Sequence, residues 1–174
     1  MLFNSLHFLI FFPIVVGIYY LMPRKIRTYW LLAASYYFYM CWNAKYVLLL
    51  LFSTVVTYVS GIALEWCAKK DKEKQYRKLC VAVSFILNLS ILFVFKYLDF
   101  GIASLNQILS RLHIELNAPA FDLLLPVGIS FYTFQALGYT MDVYRGEIYA
   151  EKNFFRYALF VSFFPQLVAG PIER

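Results

Sequence analysis

Gly128, Tyr132, Gln135, Tyr139 and Asp142 recur at spacings of four, three, four and three within an otherwise apolar stretch. In a helix those spacings place all five on one narrow stripe. Ser130, Thr133, Thr140 and Tyr144 gather on the other side, with bulky Phe131, Phe134 and Met141 between them. A helix with hydrogen-bonding groups on two faces suits the interior of a bundle and not a lipid-facing position. A second apolar run carries Gln166, bracketed by Pro165 and by Gly170-Pro171. Polar side chains in lipid cost free energy, so they line a cavity, a conduit or a helix contact.

Two kinds of chemistry share this pattern. The stripe can wall a polar passage for a headgroup, a thioester or a sugar hydroxyl, or it can act as interhelical hydrogen-bond glue worth under about 2 kcal/mol per contact. Arg145 stands three residues beyond Asp142, which predicts an ion pair at the cytoplasmic interface. Pro126, two residues before Gly128, fits either an unwound entry at membrane depth or a surface turn with proline at the helix start. The Pro165 and Gly170-Pro171 pair predicts that the last apolar run breaks near Gln166 and presents backbone groups to a cavity.

Other candidates carry less. His7 and His113 are isolated, without a carboxylate or cysteine at ligand or triad spacing. Cys41, Cys67 and Cys80 show no CxxC spacing and read as buried thiols. Ser53, Thr57, Ser60 and Gly61 form a small-residue face suited to close helix packing, and Asn88 with Ser84 one turn earlier reads the same way. No nucleophile–base pair, phosphate-binding glycine loop or pair of catalytic carboxylates assembles from these residues.

The elements that must position the stripe follow from composition. Of 174 residues 62% are hydrophobic, 21% aromatic and only 15% charged, a balance that describes an integral membrane protein. The formal charge of +6 sits in short loops between apolar runs, as topology-setting charges do, and not on a nucleic-acid-binding face. Apolar runs near 5–22, 28–43, 46–68, 79–98, 122–144 and 154–171 predict an all-α polytopic bundle of about six spans in a single membrane domain. The segment 99–121 predicts an amphipathic helix, interfacial or packed on the bundle, ending near Asn117-Ala118-Pro119. The first run lacks a basic n-region and a small-residue cleavage site, so it reads as a retained anchor. The closing GPIER looks like a turn leading into further structure, which predicts a piece of a longer polypeptide.

LLPVGISFYTFQALGYTMDVYRG and FFPQLVAGPIER resemble the membrane-bound O-acyltransferase family, in the branch that includes the alginate O-acetyltransferase membrane subunit. The D-alanine exporter of teichoic-acid modification is similar more loosely. The opening residues, through YVSG at 58–61, resemble the same branch. The resemblance implies an all-helical enzyme in which many spans surround a funnel. It hands an acyl group from a cytoplasmic thioester donor, acyl-CoA or an acyl-carrier protein, toward an acceptor on the outer side, often through a secreted or periplasmic partner acyltransferase. The family's essential histidine lies later in the polypeptide, in an Arg-Trp-His-type motif. This sequence holds no such motif, so no catalytic residue carries over.

What the resemblance does carry over is wall: Ser130, Tyr132, Gln135, Asp142, Arg145 and Gln166, joined by Tyr139 from the same stripe, become candidates for lining a tunnel or binding substrate. The expected activity is O-acetylation of an exported or cell-surface polysaccharide, with the chain as the N-terminal part of the enzyme. A transporter or channel-like bundle is the alternative, although no repeat is visible in the sequence, and a non-catalytic scaffold is the third possibility. The expected location is the inner membrane.

Orientation is testable on its own. PRKIR at 23–27 and KKDKEKQYRK at 69–78 are the basic loops, which the positive-inside rule places in the cytoplasm with the N-terminus outside. A single cysteine introduced at Asn106 should react with a membrane-impermeant maleimide from outside intact cells, and one at Asp71 should not. The reverse pattern would invert the topology.

Overall fold

Residues 5–69, 74–111 and 128–169 are described in the computed structural model, and among them every regular element is helical. The first helix, α1 (Leu6–Leu21), starts where the Ser5 hydroxyl accepts the Phe8 N–H at 3.3 Å and stops before Pro23. Pro23 in turn opens α2 (Arg24–Asn43). The indole N–H of Trp30 donates to the Val15 carbonyl at 3.1 Å, and the Arg27 guanidinium lies 4.8 Å from the Tyr19 ring centre, so α1 and α2 form a pinned hairpin. A 3-10 turn, Ala44–Tyr46, leads into α3 (Val47–Lys69); Asn43 starts that turn by accepting the Lys45 N–H.

The next helix, α4 (Lys74–Arg111), runs unbroken for 38 residues. The amphipathic segment expected to begin at 99 is therefore a continuation of the fourth span as far as Arg111, and its expected end near Pro119 lies outside the described residues. No proline or glycine pair interrupts residues 96–100, so nothing in the backbone forces a boundary there. The central helix α5 (Ile129–Arg145) is framed by two glycines in left-handed conformation, Gly128 at φ 75° and Gly146 at φ 80°. At its end the Glu147 and Gly146 N–H groups bond to the Asp142 and Val143 carbonyls, a Schellman closure that needs the glycine. Pro126 falls outside the described residues.

The last apolar run is two helices, α6 (Phe154–Ser162) and α7 (Phe164–Ala169), separated at Phe163 with φ −58° and ψ 114°. Its break was expected near Gln166 and falls three residues earlier, because Pro165 has no N–H to give the Val161 carbonyl and its ring would collide with it. Proline is instead accommodated in the first turn of α7.

In the bundle α5 sits against α3 and α4, and α2 covers α6 and α7. The α3 face turned into the bundle is built from Ser53, Thr54, Thr57, Ser60 and Gly61. Thr54, Thr57 and Ser60 each turn their hydroxyl back onto the carbonyl four residues earlier at 2.7 Å, which leaves a smooth, self-satisfied surface. A Cβ on Gly61 would meet the Tyr139 ring at 2.9 Å, so α5 approaches as closely as glycine allows. Ser53 donates to Asn88 Oδ1 at 2.5 Å while Asn88 donates to the Ser84 carbonyl at 2.9 Å, joining α3 to α4 as the sequence suggested.

Two helical stretches, Ala44–Ala68 and Gln75–Lys96, are long and apolar enough to cross a bilayer, each with mean hydropathy 2.2. Only 17% of the α4 window is buried, so its apolar side chains face outward, as lipid permits and water does not. The cysteines are less buried than expected: Cys41 is exposed, Cys67 and Cys80 are half-buried, and all three are free.

Gly128 provides a stability test. A Cβ there would run into the Leu167 carbonyl of α7 on top of the left-handed φ, whereas a Cβ on Gly138 would meet nothing. Gly128→Ala should cost more than the roughly 1–3 kcal/mol of backbone strain alone, and Gly138→Ala should be neutral or stabilising by up to about 1 kcal/mol. Thermal unfolding in detergent separates the two.

Candidate functional site

Breaking a helix in an apolar setting leaves backbone groups that must find partners. Gln135 of α5 reaches across and its Nε2 donates to the Phe160 carbonyl of α6 at 2.9 Å and to Gln166 Oε1 of α7 at 3.2 Å. From the opposite side Ser35 of α2 accepts the Phe164 N–H at 3.3 Å and donates to the Leu31 carbonyl at 2.8 Å. The junction between α6 and α7 is thus satisfied by two side chains, one from each flanking helix. Gly128 seats the start of α5 against the Leu167 backbone.

Beside this junction lie hydroxyls without partners. Tyr132 and Tyr39 are 1% and 5% exposed, within the same buried cluster, and their hydroxyls lie against each other without a well-formed hydrogen bond. The Tyr36 hydroxyl, one turn before Tyr39 on α2, is likewise buried and unpaired. A buried hydroxyl without a partner costs about 1–3 kcal/mol. Tyr132 lies in the first turn of α5, and Tyr36 and Tyr39 lie in the C-terminal half of α2.

The other end of α5 is tied down thoroughly. The Tyr139 hydroxyl accepts the Glu151 N–H at 2.9 Å, Glu65 of α3 accepts the Ala150 N–H at 3.0 Å, and the Tyr58 hydroxyl donates to the Lys152 carbonyl at 2.7 Å. Arg77 of α4 donates to the Tyr144 carbonyl at 2.5 Å with its guanidinium 5.2 Å from the Tyr144 ring centre. Tyr157 donates to Thr57 Oγ1 at 2.6 Å, and its ring lies 4.5 Å from that of Tyr139. The 146–153 loop is therefore strapped to α3 and α5, while Arg77 ties α4 to the last turn of α5. Between the loop, α5 and α6 opens a cleft of about 490 Å³ whose walls include Phe134, Gly138, Tyr139, Asp142, Arg156 and Phe160.

The sequence-predicted residues separate accordingly. Gln135 and Gln166 meet each other, Tyr132 is buried beside them, and Tyr139 and Asp142 line the cleft at the far end. Ser130 is half-buried in the first turn of α5 and joins none of these bonds. Arg145 does not pair with Asp142; it lies 3.8 Å from Glu147, because the helix ends at Gly146 and turns Arg145 outward beside the loop. Ser35, Tyr36, Tyr39 and Glu65 were not singled out from the sequence. They sit on other helices at no informative spacing; the aromatic run SYYFY at 35–39 was the signal for the first three, and a lone carboxylate inside the apolar run 46–68 was the signal for Glu65.

Over its whole length the chain is 39% identical to "Probable alginate O-acetylase AlgI" of Azotobacter vinelandii and 39% identical to the protein of the same name from Pseudomonas aeruginosa. It spans about a third of their lengths, 34% and 33%. Across 82% of the chain it is 35% identical to the peptidoglycan O-acetyltransferase of Helicobacter pylori, covering 30% of that protein. No family model matches. No solved structure matches.

Gln135 is where the junction can be probed. Gln135→Leu keeps the volume but strips the Phe160 carbonyl and Gln166 of a donor, so unfolding in detergent should become easier by about 1–3 kcal/mol. An unchanged midpoint would mean that the junction does not depend on this side chain.

Proposed function

We propose that the chain is the N-terminal part of a membrane-bound O-acyltransferase, an enzyme that O-acetylates an exported or cell-surface polysaccharide. The observation that carries this is the identity of 39% over the whole chain to alginate O-acetylases, supported by the peptidoglycan O-acetyltransferase. Alginate O-acetylase and peptidoglycan O-acetyltransferase both denote acetyl transfer onto the oxygen of a glycan, so the common chemistry is attack of a sugar hydroxyl on an activated acetyl carbonyl. The donor is a cytoplasmic acyl thioester, either acyl-CoA or an acyl-carrier protein, and the acceptor lies on the outer side with a secreted partner acyltransferase to complete the transfer.

In this proposal the described helices form one membrane domain with the N-terminus outside and the 23–27 and 69–78 loops in the cytoplasm. The inner membrane supplies the lipid bilayer. The residues of this chain shape and polarise the path, and the general base belongs to the remainder of the longer enzyme. Gln135 and Gln166 hold the α6–α7 break in place. Tyr132, with Tyr39 and Tyr36 from α2, presents hydroxyls that the protein leaves unpaired. Such groups are suited to accept a partner from the passing acyl or sugar group, and preorganised donors in a water-poor site stabilise developing charge on a carbonyl oxygen.

Tyr132→Phe separates wall from glue. Removing an unpaired buried hydroxyl should leave stability unchanged or raise it, since a desolvated group is deleted. In cells carrying the full-length gene as the sole copy, the acetyl content of the polymer should nevertheless fall severalfold. Parental acetylation would remove Tyr132 from the path, and unaltered acetylation after deletion of the whole gene would remove the enzyme assignment itself.

A further inference from the structure

The cleft beside the 146–153 loop is lined by both apolar and charged side chains. Phe134 and Phe160 give it apolar wall, and Asp142, Glu151 and Arg156 border the same opening. Gly138 forms part of its wall on α5. No packing reason holds a glycine at that position, since an added Cβ would meet nothing within 4 Å, and a mid-helix glycine costs about 1 kcal/mol relative to alanine. Its effect is to keep the groove open.

We propose that this groove binds a membrane phospholipid with an amine-bearing zwitterionic headgroup, one acyl chain lying between Phe134 and Phe160 and the headgroup at the mouth. The depth fits: the loop falls at the cytoplasmic interface in the predicted orientation, and Ile148, Tyr149 and Phe155 around it are 42%, 89% and 45% exposed, the apolar and aromatic character of an interfacial belt. The charges fit as well. Arg156 is exposed and available to a phosphate, and the carboxylates of Asp142 and Glu151 flank the same opening for an ammonium. The neighbouring Arg145 is engaged with Glu147, so the mouth itself carries two anions and one cation. That balance disfavours a purely anionic headgroup. The long apolar wall, in turn, exceeds what a two-carbon acetyl group would fill. This site depends on the membrane orientation and not on acetyl transfer, so it can fail or stand independently of the proposed enzyme activity.

The test is native mass spectrometry of the full-length protein, extracted in mild detergent from membranes containing both phosphatidylethanolamine and phosphatidylglycerol. Phosphatidylethanolamine should be retained above its membrane proportion. Gly138→Leu, which fills the groove, should lower retention severalfold. The pair Asp142→Asn with Glu151→Gln leaves backbone contacts in place and should shift the retained lipid toward phosphatidylglycerol. If Gly138→Leu does not accumulate, the charge pair decides alone. Absence of retained lipid, equal retention of both headgroups by the parent, or an unshifted preference in the charge pair would overturn the proposal.

Discussion

The architecture turns on one requirement: a helix interrupted among apolar residues must still have its backbone polar groups bonded. Pro165 interrupts it, and the interruption would cost several kcal/mol for each group left bare in hydrocarbon. Gln135 from α5 covers the Phe160 carbonyl and Ser35 from α2 covers the Phe164 N–H. Because those two side chains approach from different helices, the break also fixes where α2 and α5 stand relative to α6. Gly128 follows from the same constraint, since α5 can begin against the Leu167 backbone only if nothing projects from its first residue.

A second set of contacts keeps α5 in register. On α3 the hydroxyls of Thr54, Thr57 and Ser60 are turned back onto their own helix, so that face offers shape and little competition for partners. Tyr139 can then lie directly over Gly61 and use its hydroxyl for the Glu151 backbone. With Glu65 and Tyr58 of α3 bonded to the same loop, the C-terminal end of α5 is held through three bonds to backbone atoms. A rigid loop of this kind can border a groove without collapsing into it.

Much of this was legible in the sequence, and the parts that were not have physical causes. Hydropathy located the helices because lipid-facing surface must be apolar, and the small-residue face of α3 was visible because residues at those spacings share a side. The stripe on α5 was visible for the same reason. Periodicity cannot say what a polar residue touches, however, and Gln135 and Asp142 share a stripe while serving opposite ends of the bundle. The Asp142–Arg145 pair was expected from spacing within a helix, but Gly146 ends the helix one residue later and redirects Arg145 to Glu147. Ser35 and Tyr39 were invisible because their roles come from α7 and α5 packing beside them, and no local pattern encodes that contact.

The distinction between glue and function therefore rests on partner accounting more than on polarity. Gln135, Ser35, Asn88 and Tyr157 are buried polar residues whose bonds close within the protein, and each is explained by the helix pair it joins. Tyr132 and Tyr39 are equally buried, yet their hydroxyls remain unpaired. A phenylalanine at either position would pack as well without the desolvation cost, so packing alone gives no reason for tyrosine there. Each hydroxyl has only the other beside it, which leaves hydrogen-bonding capacity unused on both. Tyr132 stands in the first turn of α5 and Tyr39 on α2 beside it, next to the junction where the backbone is opened, so polar capacity not spent on joining helices is concentrated on that side of the bundle.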